Sequence, residues 1–203
     1  MGLEMKNTHY NWWGGGKYAE YGGTSESHER QLRWFDPRLG DPLPSLGNWQ
    51  TPVLTQYLGE GPKLRKPRKI GDAPSSAPHN LISPRAAEVL HDIWERHALL
   101  YPVILDDAPG ETFYMVVCQT RLDWDCLDLE HSVLGRSNVD NKVYAVKRWC
   151  FIPDKVGDND LFVLPNSNFA YFVSQRFLDR VLAAKLKGFR FDAVYLDREP
   201  IIS

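Results

Sequence analysis

The sequence lacks several features that mark common classes of protein. No apolar run approaches the roughly 18 residues of a membrane-spanning helix, and the first residues contain no apolar stretch like that of a signal peptide. The formal net charge is −2, which excludes the strong basic bias of many nucleic-acid binders. These absences favour a folded cytoplasmic protein for which neither a membrane nor a nucleic acid is the expected partner.

The residue pairs that hold zinc or build common catalytic sites are also missing. The histidines form no His-x3-His pair and the cysteines no Cys-x2-Cys pair, so we predict no metal site. No G-x-S-x-G turn occurs, and the glycine-rich run at 12–16 lacks the Lys-Ser/Thr of a phosphate loop. We therefore predict no catalytic residues, no cofactor and no enzymatic activity.

Cys126 and His131 contain the two groups of a thiol–imidazole pair, which could be catalytic. However, residues 122–126 alternate between apolar and acidic, which predicts a strand with one wet face. Cys126 is in phase with Leu122 and Trp124, so its side chain should point into the core. We expect it to be a buried, inert thiol, as is usual in a reducing compartment.

The chain divides by composition into an irregular first part and a regularly patterned second part. Residues 1–80 are rich in glycine, proline and aromatic residues, among them Trp12, Trp34 and Trp49. Aromatics at this density usually pack against other groups, so this segment should lie on the core rather than be disordered. Residues 81–203 should form that core, with the whole chain as one domain.

Two similar units stand out within residues 81–203. Ser83 followed by Pro84 is typical of a helix start, and the helix predicted over 84–97 carries the apolar stripe Val89, Leu90 and Ile93. A second helix should follow Ser174, end at Gly188 and carry the stripe Phe177, Val181 and Leu182. With strands predicted around 103, 115, 146 and 192, the fold class is α+β. Two principal helices should pack on a mainly antiparallel sheet.

Acidic residues are concentrated between positions 104 and 130, where seven carboxylates face one basic residue, Arg121. Such a surface can attract a basic partner. The candidate binding residues are Asp106, Asp107, Asp123, Asp125, Asp128 and Glu130. The same residues could simply form a solubilising surface, and Asp128 could stabilise a turn. Two further functions stay open: an enzyme that uses the carboxylates at 123–130, and a nucleic-acid-binding module that uses the basic loop at 63–69.

Five ordered segments resemble immunity protein family eleven of bacterial polymorphic toxin systems, formerly a domain of unknown function. They are Leu81-Ile82-Ser83 with Val89-Leu90, Leu100-Tyr101-Pro102-Val103, residues 125–132, Phe172-Val173-Ser174 and residues 187–191, in matching order over 67–195. The resemblance implies a cytoplasmic α+β protein that binds and neutralises a cognate toxin domain during interbacterial competition. It also implies a toxin that is often a nuclease or another enzyme acting inside cells.

Overall fold

The structure, a computed structural model, describes residues 9–23, 45–59, 65–76, 79–136, 143–165 and 170–194. Trp34 and Lys63 lie outside these residues. The strands are β1 (His9–Trp13), β2 (Tyr21–Gly23), β3 (Val53–Gln56), β4 (Ser75–Ser76), β5 (His79–Ile82), β6 (Ala98–Leu105), β7 (Thr112–Cys118), β8 (Val133–Arg136), β9 (Val143–Arg148), β10 (Leu161–Phe162), β11 (Tyr171–Ser174) and β12 (Arg190–Val194). The helices are α1 (Pro84–Val89), α2 (His91–His97), α3 (Pro153–Val156) and α4 (Gln175–Ala183).

The strands of the described residues form three sheets. One has the order β10-β11-β1-β12 and is antiparallel throughout. A second has the order β2-β3-β6-β7-β5-β4, in which only the β3–β6 pair is parallel. The third is the β8–β9 hairpin. The fold is therefore α+β with mainly antiparallel sheets, as the sequence predicts, but the prediction of a single sheet is wrong.

The central core contains apolar side chains from both larger sheets and from α1, α2 and α4. Trp12 and Val173 come from the four-stranded sheet, Val116 comes from the six-stranded sheet, and Ile93 and Phe177 come from the helices. Alternate residues of the central strands face outward into two further cores. Met115 of β7 enters the core on the far side of the six-stranded sheet, and Phe172 of β11 enters the core beneath the β8–β9 hairpin. Side chains on both faces of β7 and β11 are therefore buried.

The first predicted unit is organised around the carboxylate of Asp72. The Ser83 hydroxyl accepts a hydrogen bond from the Ala86 N–H (3.1 Å) at the start of α1 and donates one to Asp72 Oδ1 (2.9 Å). The Ser83 N–H also donates to the Asp72 carbonyl (2.9 Å). Arg85 pairs with Asp72 Oδ2 at 3.4 Å. One aspartate thus fixes the strand end, the helix cap and the first turn of α1.

The second unit repeats this arrangement around Asp160. The Ser174 hydroxyl accepts from the Phe177 N–H (3.2 Å) and donates to Asp160 Oδ1 (2.5 Å), while the Ser174 N–H donates to the Asp160 carbonyl (3.0 Å). Arg176 pairs with Asp160 Oδ2 at 2.5 Å. Both predicted serine caps are confirmed. The aspartates that hold them have no recognisable spacing in the sequence.

Three local predictions differ from the structure in the helical regions. The helix predicted over 84–97 is interrupted at Leu90, which separates α1 from α2. Leu182 is 62% exposed, so only Phe177 and Val181 of the predicted stripe of α4 are buried. The C′ position of α4 is occupied by Lys185 rather than Gly188, because the helix ends at Ala183 and Ala184 is its C-cap. Gly188 has a different role: a Cβ there would meet the Ala73 carbonyl oxygen at 2.8 Å.

Two further differences concern β1 and the segment after β7. β1 is an inner strand, paired on one side with β11 and on the other with β12, so part of the core of the described chain precedes residue 81. The predicted strand at 122–126 is wrong, because Trp124–Cys126 is a 3-10 turn. Trp124 is half exposed on that turn, while Cys126 is buried as predicted.

Candidate binding surface

Asp106 and Asp107 lie at the tip of the β6–β7 hairpin, directly after β6. Asp107 accepts hydrogen bonds from the Tyr21 hydroxyl (2.9 and 3.0 Å) and from Gln56 Nε2 (3.1 Å). Burial and the hydrogen bond from its hydroxyl to Asp107 raise the pKa of Tyr21. The same Gln56 nitrogen donates to the Arg68 carbonyl (3.1 Å). Asp107 therefore ties the hairpin tip to β2 and β3, next to a basic stretch of the chain.

The other four candidate residues follow β7. Asp123 and Asp125 are exposed on the 3-10 turn, where Asp125 pairs with Lys155 at 2.7 Å. The Asp128 carboxylate accepts from the N–H groups of Glu130 and His131 (3.1 Å each) and contacts His131 Nδ1 at 2.8 Å. Burial alone would raise the pKa of Asp128, but these bonds outweigh it and the pKa is lowered. Asp128 thus stabilises a turn.

The structure does not bring the six candidate residues together. Ala98 pairs with Cys118 and Ile104 with Thr112, so the end of β6 and the end of β7 lie at opposite ends of the hairpin. Asp106 and Asp107 follow the first of these ends, and Asp123 follows the second. Since a strand rises about 3.3 Å per residue, the two ends of this hairpin are roughly 20 Å apart.

Exposed apolar side chains accompany the second acidic group. Trp124 is 39% exposed and its ring stacks on Trp149, with centroids 6.0 Å apart and planes inclined by 19°. Trp149 in turn meets the Phe172 ring edge-on at 4.8 Å, so the exposed Trp124 is supported by the core beneath it. Leu129, at 62% exposure, and Val133, at 39%, lie in the turn and strand that follow.

Hydrogen bonds to the segment at 150–152 fix the backbone around these side chains. The Asp128 N–H donates to the Cys150 carbonyl (2.8 Å), and the Ile152 N–H donates to the Cys126 carbonyl (2.8 Å). The Ser132 N–H closes the turn on the Asp128 carbonyl (2.9 Å). We call the set Asp123, Trp124, Asp125, Leu129, Glu130 and Val133 the acidic–apolar surface. Sequence reasoning found its charges but missed its apolar members, because it assigned Trp124 to the core.

The Cys126 thiol is not placed as a nucleophile. Cys126 is 1% exposed, and burial raises the pKa of its thiol to about 11. A thiol with so high a pKa is protonated at neutral pH and is a poor nucleophile. Within the described ranges no group of three or more His, Cys, Asp or Glu residues could hold a metal ion. Nor does any described helix have the length and apolarity to cross a membrane.

Comparison with protein families decides the class of the chain. The model of the Immunity protein family (Imm11) matches residues 38–195, more than half of the sequence. The chain belongs to the Imm11 immunity protein family. No curated protein matches it. The match confirms the family suggested by the five ordered segments, and it includes the acidic–apolar surface.

In the basic stretch, Arg68 is bound to backbone carbonyls, whereas Arg65, Lys66 and Lys69 are exposed. Arg68 donates to the Gly16 carbonyl (3.3 Å) and to the Tyr18 carbonyl (3.5 Å). Next to it is a cleft of about 440 Å³, whose lining includes two lysines and two carboxylates: Lys69, Lys187, Asp72 and Glu111. These charges balance, so the cleft offers no net charge that would select an anion such as phosphate.

Proposed function

We propose that this chain is an immunity protein that binds a cognate bacterial toxin domain and neutralises it by protein–protein contact. The observation that carries the proposal is the Imm11 family match over residues 38–195. A toxin that holds phosphate has a basic cleft, so the proposed partner is a nuclease or another enzyme that acts inside cells. The proposed contact residues are Asp106, Asp107, Asp123, Asp125, Asp128 and Glu130, as carboxylates that complement such a cleft.

Neutralisation by binding is favoured over neutralisation by catalysis. Asp125 is paired with Lys155 and Asp128 stabilises a turn, so neither carboxylate of this pair is poised as a general acid or base. Meanwhile, half-exposed aromatic side chains such as Trp124 are enriched in protein–protein interfaces. The three cysteines are buried and form no disulfide, which supports a cytoplasmic site of action.

Co-expression with a toxin tests the proposal. The probe is the C-terminal domain of the large secreted protein encoded next to this chain's own gene. Inducing that domain alone in a bacterial host should arrest growth, and co-expression of this chain should restore growth and give a complex that co-elutes on size exclusion. Arrested growth despite soluble, folded chain would contradict the proposal. So would full protection without any complex, or the lack of such a neighbouring gene.

A further inference from the structure

We infer that the acidic–apolar surface is the part of the molecule that contacts the toxin, with Trp124 and Leu129 as its apolar anchors. The partner that it fits is a protein surface with an apolar depression rimmed by basic side chains. This inference rests on the proposed function. It names the end of the β6–β7 hairpin that supplies the apolar anchors of the proposed contact region.

Half of the exposed large apolar side chains belong to the acidic–apolar surface. Among the described residues, six large apolar side chains are exposed: Leu46, Tyr57, Trp124, Leu129, Val133 and Leu182. Three of these fall within ten consecutive positions and belong to the acidic–apolar surface. Isolated exposed apolar residues are ordinary, whereas a group rimmed by polar residues is typical of an interaction site.

Hydrogen bonds fix the turn that contains Leu129. Leu129 stands between Asp128, whose carboxylate accepts two backbone hydrogen bonds, and Ser132, whose N–H closes the turn. The free protein therefore already holds this leucine outward, at 62% exposure. Binding at such a pre-organised turn needs little further ordering, which favours affinity.

Charge complementarity identifies the occupant. Asp123, Asp125 and Glu130 are exposed around the apolar centre, and the Asp125 side chain remains 68% exposed even though it pairs with Lys155. Carboxylates at the rim of an interface attract a basic partner and raise the association rate. At the other end of the hairpin, Asp107 is already engaged by Tyr21 and Gln56. That end also adjoins the basic stretch at 65–69, so it offers less net negative charge.

Matched alanine variants test the apolar anchors. Leu129 and Leu182 are both 62% exposed, but only Leu129 belongs to the acidic–apolar surface. The affinity of the purified chain for the neighbouring-gene toxin domain should fall by at least about tenfold in L129A and in W124A, since apolar anchors dominate interface energy. In L182A it should stay within about twofold. Circular dichroism and the thermal midpoint check that each variant is folded.

Charge reversals test the rim. E130K should lower the association rate and weaken its dependence on salt, because it removes an attractive charge next to the anchors. E88K, at an exposed glutamate of α1 outside the proposed contact residues, should leave both quantities nearly unchanged. Normal affinity in folded L129A and E130K would overturn the surface assignment while the immunity function stands. A wild-type chain that neither protects nor binds would instead refute the proposed function itself.

Discussion

Ser174 connects three parts of the fold through one hydroxyl group. It ends β11, caps α4 by accepting from the Phe177 N–H, and donates to Asp160. Ser83, directly after β5, likewise caps α1 and donates to an aspartate, Asp72. The sequence predicts both caps because serine at this position, followed by an apolar helical stripe, satisfies an otherwise unpaired N–H. The aspartate partners cannot be predicted from the sequence, because their contacts with the serines are tertiary.

Replacing this hydroxyl should therefore destabilise the protein measurably. S174A should lower the free energy of unfolding by about 1–2 kcal/mol, since the helix loses its cap and Asp160 loses a donor. S45A is the matched control, because Ser45 stands at the N-cap of the 3-10 turn Leu46–Asn48 without a side-chain capping bond. Urea unfolding measures both variants. An equal loss in the two would show that the capping hydroxyl contributes nothing.

His97 gives the fold a predictable response to acid. Its ring is buried, its Nε2 accepts from the Asp160 N–H (3.3 Å), and its Nδ1 lies 2.8 Å from the Thr120 hydroxyl. Burial lowers the pKa of His97 below 6.5, and the nearby Arg96 lowers it further, although Asp160 opposes this. The neutral ring therefore stabilises the folded state. This contribution is complete above pH of about 6.5 and is lost as the pH falls towards the lower pKa of the folded state.

Unfolding by urea between pH 7.5 and 5 measures this effect. Stability should decrease as the pH falls, and H97Q should show a smaller decrease despite a lower stability at pH 7.5. The reason is that Gln can occupy the site without taking up a proton. Part of the decrease should remain in H97Q, because burial also lowers the pKa of His9. If stability depended on pH equally in wild type and H97Q, His97 would not be a source of the pH dependence.

At the scale of elements, the end of α4 shows how local chemistry can mislead a sequence-based prediction. Glycine is the usual C′ residue, and Gly188 was the nearest one. The structure instead closes the helix with the Leu186 N–H donating to the Val181 carbonyl and the Lys185 N–H donating to the Leu182 carbonyl (3.0 Å each). This geometry places Lys185 at φ +53°, a left-handed conformation that is unfavourable for a residue with a Cβ.

K185G should therefore stabilise the protein, by about 0.5–1 kcal/mol, because glycine adopts this conformation without strain. K187G is the control at a nearby lysine that does not have a positive φ. It should be neutral or destabilising, since glycine there only adds freedom to the unfolded chain. Thermal midpoints from differential scanning calorimetry measure the stability of both variants. A K185G variant less stable than wild type would contradict the account of this helix end.

The 3-10 turn after β7 shows a second limit of sequence patterns. Leu122, Trp124 and Cys126 alternate with aspartates as in a strand with one buried face, and Cys126 is indeed buried. However, the pattern is only five residues long, and a 3-10 turn whose last residue is buried fits it equally well. The difference determines the candidate site, because the turn leaves Trp124 half exposed on Trp149 rather than inside the core.

At the scale of the whole molecule, Trp12 joins the first residues of the described chain to its last. Its fully buried ring contacts those of Trp94, Tyr171, Phe177 and Phe189 at centroid distances of 5.9, 5.7, 5.6 and 5.4 Å. The aromatic density of the N-terminal segment predicts packing of this kind. It does not predict an inner strand, because long-range strand pairing leaves no local signal.

W12A should therefore destabilise the fold by about 3–5 kcal/mol, as expected for a large buried aromatic side chain. W124A should cost much less, because Trp124 is already 39% exposed. Chemical denaturation of the two variants measures the contrast. If W12A lost no more unfolding free energy than W124A, β1 would not be part of the core.

The charge count could locate the acidic residues but not their arrangement. One stretch of 27 positions contains seven carboxylates, yet the antiparallel hairpin within it sends the two ends of the stretch apart. Only topology shows that the second group shares its surface with Trp124 and Leu129. The fold class follows from the capped helices and alternating strands, whereas the surface follows from tertiary contacts.

The most direct test of the central claim is a titration of toxin activity with purified chain. A fixed concentration of the neighbouring-gene toxin domain, well above the dissociation constant, is mixed with increasing amounts of this protein, and residual toxin activity is assayed. Inhibition by binding predicts a linear loss of activity that reaches completion at a fixed stoichiometric ratio and does not progress with time. Complete, time-dependent inactivation at a small fraction of that ratio would instead reveal catalysis and contradict the account.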